Sequence, residues 1–192
     1  MNCELVKDML ELNDVLVDGA EKTASMMAKE GQVTCLTGGD EQVRTRLLLA
    51  MMGLERVKSG FVSIDGEPLE PQTVSLFRGM MAYVPSDLRS DGEVVVYEPP
   101  SVQDVFALKD NREAAISNGL LAEEMKRTGA TSPMKAQLLA VAVLRQRPIL
   151  LVDGPEAASA DYLRRLAADR RTVVVASDDD AILRMSDEVI EL

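Results

Sequence analysis

The chain has 192 residues, 46% of them apolar, and a formal charge of −11; that length suits one well-buried α/β domain and is short for two. So negative a charge argues against recognition of a nucleic-acid backbone, which needs clustered Lys and Arg. The absence of histidine removes Ser-His and Cys-His catalysis and imidazole metal sites, and 3% aromatics without Trp leave little to stack on bases.

In chain order, β-rich runs predict strands at 9–17, 32–36, 61–64, 81–84, 149–152, 172–176 and 188–192. Helical patterns fall at 45–52, roughly 101–108, 112–127, 133–146 and 160–168. The start MNCELVKD has no signal-peptide character, and no run approaches the roughly 18 apolar residues of a membrane span, so a cytoplasmic location without direct membrane insertion is expected. Cys3 and Cys35 are too few for a disulfide scaffold and lack zinc-ligand spacing. Cys35, inside VTCLT, reads as a small buried strand residue. Asp65-Gly66 between FVSI and EPL signals a hairpin. Ser132-Pro133 is a helix start, with Ser as N-cap and Pro where its missing N–H costs nothing. ILLV and TVVVA, separated by a helix, read as neighbouring parallel strands of a covered sheet. Arg164-Arg165 and Arg170-Arg171 read as a solvated face at a helix end.

The N-terminal third is thus expected to be partly antiparallel and the C-terminal third doubly wound. Residues 87–131 open on a stretch rich in Gly, Pro and charge and continue with helical patterns. They read as a small, mostly helical insert on a single α/β domain whose core spans about 1–86 and 132–192.

The stretch LTGGDEQVRTRLLL, residues 36–49, begins like a phosphate-binding loop: an apolar strand, two glycines and a turn into a helix. Against G-x-x-x-x-G-K-[ST], Gly38 and Thr45 fit, whereas Val43 and Arg44 stand where Gly and Lys belong. The flanks add to it. LLLAMMGLERVKSGFVSIDGEPL resembles the segment after the phosphate loop of ABC-transporter ATPase domains, MAYVPSD their strand into the Q-loop, and SVQDVFAL the helix that follows. AVAVLRQRPILLVDGP is similar to the helix and strand ending in Walker B, and TVVVASDDDAILRMSDEVIEL to the switch segment and last core strand. These pieces are collinear over nearly the whole chain.

The resemblance implies a P-loop NTPase (RecA-like) core of the ABC ATPase type, with an N-terminal antiparallel β part and a reduced helical insert. It implies that Gly38, Gly39, Asp40, Glu41, Gln42, Val43, Arg44 and Thr45 face the cofactor, ATP with Mg²⁺, and that Thr45 and Asp153 face the metal. It assigns no catalytic residue, because the departures fall on the chemistry. Arg44 replaces the phosphate-loop lysine. Gly154 replaces the catalytic glutamate, Ser86 the Q-loop glutamine, and Ser177 or Asp178 the switch histidine. The signature loop is G-A-T-S-P around Gly129 to Pro133, its glycine pair gone. No aromatic precedes Phe61 to stack on adenine, and the sequence ends in the last core strand. Asp40 and Glu41 add two carboxylates to a concavity built for anions, so ATP is expected to bind weakly or not at all.

Plainer readings of the same residues remain open at this point. Thr45 is equally a first-turn helix residue, Asp153 a turn cap, Arg44 a solvated helix arm, and Asp178-Asp179-Asp180 a charge cluster at a helix N-terminus. The expected function is that of a non-hydrolysing pseudo-ATPase docking on a membrane permease or a second ATPase-like subunit through the surface around 86–100 and the insert. That would place it peripherally at the inner face of the membrane. The alternatives are a weak ATPase completed by a partner, and a soluble protein-binding module unrelated to transport.

Overall fold

The computed structural model describes residues 9–87, 89–90, 93–94 and 114–192. Its first half comprises β1 (Leu10–Leu16), β2 (Ala24–Ala28), β3 (Val33–Thr37), α1 (Glu41–Met51), β4 (Ser59–Ile64), β5 (Glu67–Pro68), α2 (Val74–Met80) and β6 (Met81–Val84). After a two-stranded ribbon, β7 (Arg89–Ser90) and β8 (Glu93–Val94), come α3 (Asn118–Arg127), α4 (Pro133–Leu144) and β9 (Ile149–Asp153). A short 3₁₀ turn leads into α5 (Ala160–Ala168), followed by β10 (Thr172–Ala176), α6 (Asp180–Met185) and β11 (Glu188–Glu191).

The strands form two principal sheets. One is antiparallel, ordered β2-β1-β4-β5; the other has five strands, ordered β11-β3-β10-β9-β6, with parallel pairing throughout. β9 and β10 are neighbours, Thr172 opposite Ile149, as their continuous apolar runs predict. Their side chains point alternately to the two faces of the sheet, the period-two rule for strands. Leu151, Val174 and Leu36 enter a core shared with Leu47, Leu48 and Met51 of α1 and with the antiparallel sheet. Leu150, Val152, Val173, Val175 and Cys35 enter a second core under α4 and α5, with Leu139, Val143 and Leu163. Cys35 is fully buried, as expected.

The hairpin expected at Asp65-Gly66 is present, pairing Ile64 with Glu67; both turn residues have positive φ, the requirement of the tight turn that favours Gly second. Ser132 caps α4 with Pro133 at its start. The structure departs from expectation elsewhere. β2 was not foreseen because ASMMA lacks β-branched and aromatic residues, yet it alternates buried and exposed along its length. The helix expected over 45–52 starts four residues earlier, at Glu41, and the one expected over 112–127 occupies 118–127, behind a Ser117 cap whose Oγ accepts from Leu120 N–H. The helix expected at 101–108 lies outside the described residues.

The Arg164–Arg171 region is more than a solvated face. Arg164 pairs with Asp187 and Arg170 with Glu30. Arg171 Nη2 donates to Val143 O at 3.1 Å, so these cations tie α5 and the start of β10 to their neighbours.

Candidate functional site

β3 delivers the chain to Thr37, which turns through Gly38 and Gly39 at φ of 72° and 61°, a region open to glycine at little cost. Asp40 then returns to extended backbone and caps α1, its Oδ1 accepting from Gln42 N at 2.8 Å. Val43 and Arg44 N–H both donate to Asp40 O, at 3.0 and 3.2 Å. Glu41, Gln42 and Val43 therefore form the first helical turn, and Asp40 and Glu41 are not the middle of an open loop. The local cause is ordinary capping chemistry: an Asp N-cap followed by Glu and Gln is a strong helix start. Val43 is buried in the core with Leu47.

Arg44 is no solvated arm. Its side chain is 9% exposed, and Nη2 pairs with Asp178 Oδ2 at 2.8 Å while Nη1 donates to Gly38 O at 2.6 Å. Asp178 Oδ1 accepts from Thr37 Oγ1 and from Gly38 N, both at 2.8 Å. These donors, the Gly38 N–H foremost, hold the Asp178 carboxyl below its usual range. Of the acidic trio, Asp179 caps α6 through Ala181 N at 2.8 Å and Asp180 sits in that helix's first turn, the helix-terminal role expected of them. Asp178 instead reaches across the sheet to the glycine turn.

The two candidate metal-facing residues touch each other. Thr45 Oγ1 donates to Asp153 Oδ2 at 2.7 Å, and Tyr83 OH donates to the same oxygen at 3.3 Å. Asp153 is 3% exposed at the end of β9. Burial raises its pKa, opposed by hydrogen bonds from Thr45, Tyr83 and Ser86 and reinforced by the charge of Glu41. Burial and the neighbouring Asp153 push the Tyr83 phenol up. A cleft of about 420 Å³ opens beside them, lined also by Gln42, Arg46, Glu55 and Asp87. A second cavity of about 580 Å³ lies on the other side of the turn, against Val15, Lys22, Asp40, Val43 and Leu47.

Gly154, next to Asp153, has φ of 55°, and a Cβ there would stand 3.0 Å from Ser86 Cβ. Its carbonyl accepts from Lys135 Nζ at 2.6 Å. Around Gly129 to Pro133, the Glu156 carboxylate accepts from Thr131 N at 2.5 Å, Thr131 Oγ1 at 3.2 Å and Ser132 N at 3.3 Å. Neither Asp178 nor Glu156 was singled out as a loop-binding carboxylate from the sequence. Both contacts join residues far apart in the chain, 140 positions for Asp178 and Gly38 and 25 for Glu156 and Thr131, so no local pattern signals them.

The family model for ABC transporters matches residues 22–157. The arabinose import ATP-binding protein AraG of Pectobacterium atrosepticum is 29% identical over 109 residues, 56% of this chain and 21% of that protein. The ribose import ATP-binding protein RbsA 2 of Rubrobacter xylanophilus is 26% identical over 215 residues, covering 95% of this chain and 40% of that protein. The chain thus spans well under half the length of either curated relative. Among solved structures, CbiO1 of Clostridium perfringens, part of the ABC transporter complex CbiONQ, superposes with a TM-score of 0.67 at 16% identity, over 96% of this chain and 84% of that one. At that identity the likeness is one of fold, and the fold is the P-loop NTPase core that the collinear segments imply. With the family model covering residues 22–157, the chain belongs to the ABC transporter family.

Proposed function

We propose that this chain is a non-hydrolysing ABC-type pseudo-ATPase that serves as a docking or regulatory subunit, held at the inner face of a membrane by a permease or a second ATPase-like subunit. The observation that carries the reading is the engagement of the phosphate-loop donors. Gln42 N–H is on the Asp40 carboxylate, Gly38 N–H is on Asp178, and the Arg44 guanidinium is shared between Asp178 and Gly38 O. A triphosphate would need these same donors and would meet the carboxylates already on them. The residues present do not fit ATP in this arrangement.

Hydrolysis is further disfavoured by Gly154, which supplies no base, and by a chain without histidine. General-base and electrostatic contributions are each worth about 10² to 10⁴ in rate, so losing both silences a site. Docking needs surface shape rather than phosphate chemistry. In this reading the core, about 1–86 and 132–192, presents the insert at about 87–131 to the partner. The Thr45–Asp153 contact favours a second reading, a weakened subunit that still takes Mg²⁺ with nucleotide when a partner completes the site.

Calorimetric titration with ATP and Mg²⁺ tests the first reading: no saturation below the millimolar range is expected, and a micromolar Kd overturns it. Docking is tested by native purification of the tagged chain from membranes. A polytopic membrane protein in stoichiometric amount is expected, and its absence together with that of a second ATPase subunit overturns the docking role.

A further inference from the structure

Asp178 lies 140 residues from Gly38, so its contacts with the glycine turn are tertiary and owe nothing to local turn chemistry. Its carboxylate collects a hydroxyl from Thr37, a backbone N–H from Gly38 and a guanidinium arm from Arg44, each at 2.8 Å. One oxygen takes the first two donors and the other takes Arg44. A carboxylate and one edge of a phosphate group offer the same pair of acceptor oxygens to the same donors.

We propose that Asp178 is an intramolecular ligand occupying an oxyanion site formed by Thr37, Gly38 and Arg44, and that removing its carboxylate uncovers that site for a small inorganic oxyanion such as pyrophosphate. This deepens the reading of the loop as closed to nucleotide and rests on it. Two features make the site persist without its occupant. Arg44 is buried and keeps its bond to Gly38 O, so its guanidinium stays in place as a cation short of a counter-ion, which is costly until an anion arrives. The α6 cap is supplied by Asp179, so Asp178 is not needed to start that helix. Its side chain is 56% exposed, and truncation opens the site directly to solvent. The same device recurs at a second turn, where Glu156 fills the N–H groups of Thr131 and Ser132.

The test is calorimetric titration of the full chain with pyrophosphate at low ionic strength. The wild type is expected to show no saturable binding. Asp178→Ala is expected to bind at least about tenfold more tightly than wild type and than Asp180→Ala, which removes an equal charge in the first turn of α6. Adding Arg44→Ala to Asp178→Ala should abolish the gain. Asp178→Ser provides the same comparison should the alanine variant lose its fold. Folded variants without a gain, or an equal gain in Asp180→Ala, overturn the proposal. A wild type that binds ATP at micromolar Kd defeats the pseudo-ATPase reading instead, whereas silence in wild type and variants alike defeats the oxyanion site alone.

Discussion

Thr45 and Asp153 join the helix after the glycine turn to the end of β9 by a 2.7 Å hydrogen bond between a hydroxyl and a nearly buried carboxylate. A buried charge must collect donors, and Thr45 is its shortest. Replacing the hydroxyl by a methyl in Thr45→Val keeps the volume but strips that donor, which costs about 1–3 kcal/mol. Urea denaturation should show this loss, with Thr45→Ser close to wild type. Equal stability of the valine and serine variants would mean that packing, not the hydrogen bond, matters at this position.

Gly154 stands at the position where the resemblance places a catalytic glutamate. Its φ of 55° and the 3.0 Å approach of Ser86 Cβ to any added Cβ favour glycine. Gly154→Glu is expected to lower stability by about 1–3 kcal/mol through left-handed strain and crowding. It should not create ATP turnover, because the phosphate-loop donors remain engaged. Vanadate-sensitive phosphate release by the purified variant would refute this.

The Asp178 contacts imply a pH dependence whose sign follows from its depressed pKa. A carboxyl whose folded value lies below its unfolded one contributes stability that is present above the unfolded value and fades as pH falls through the folded one. Its partners at this position are the Gly38 N–H, the Thr37 hydroxyl and Arg44. Asp178→Asn should therefore be less stable than wild type near neutrality, with the difference closing below about pH 4. Thermal melts across that range decide it; a difference constant with pH would mean that the charge is irrelevant.

How much of this was legible in the sequence depends on the range of the interaction. The runs at 81–84 and 172–176 are strands at the expected residues, because continuous apolar, β-rich runs between helical patterns leave few alternatives. β2 was missed because its signal is pure alternation in residues of low strand preference. The start of α1 was misplaced for another reason: the phosphate-loop resemblance overrode the Asp-Glu-Gln capping signal, which was readable locally. The grip of Asp178 on Gly38 was beyond local reading. It depends on β10 lying beside β3 in the parallel sheet, which carries residue 178 to the glycine turn.

The last prediction separates the two roles open to Asp40. Charge repulsion alone would make Asp40→Ala a harmless or stabilising change. The structure instead makes Asp40 the cap of α1, accepting from Gln42 N at 2.8 Å, with the positive end of the helix dipole beside it. Losing such a cap costs about 0.5–2 kcal/mol, whereas asparagine keeps an equivalent acceptor. Asp40→Ala should therefore be destabilised by about 1 kcal/mol and Asp40→Asn nearly neutral in denaturant unfolding. Because Asn also removes the charge, the pair discriminates cleanly. If asparagine destabilises as much as alanine, the charge on the dipole outweighs the side-chain acceptor; if neither does, the first turn of α1 is held by Val43 packing and the cap is incidental. Neither variant is expected to acquire ATP affinity while Asp178 remains on the Gly38 N–H and Arg44.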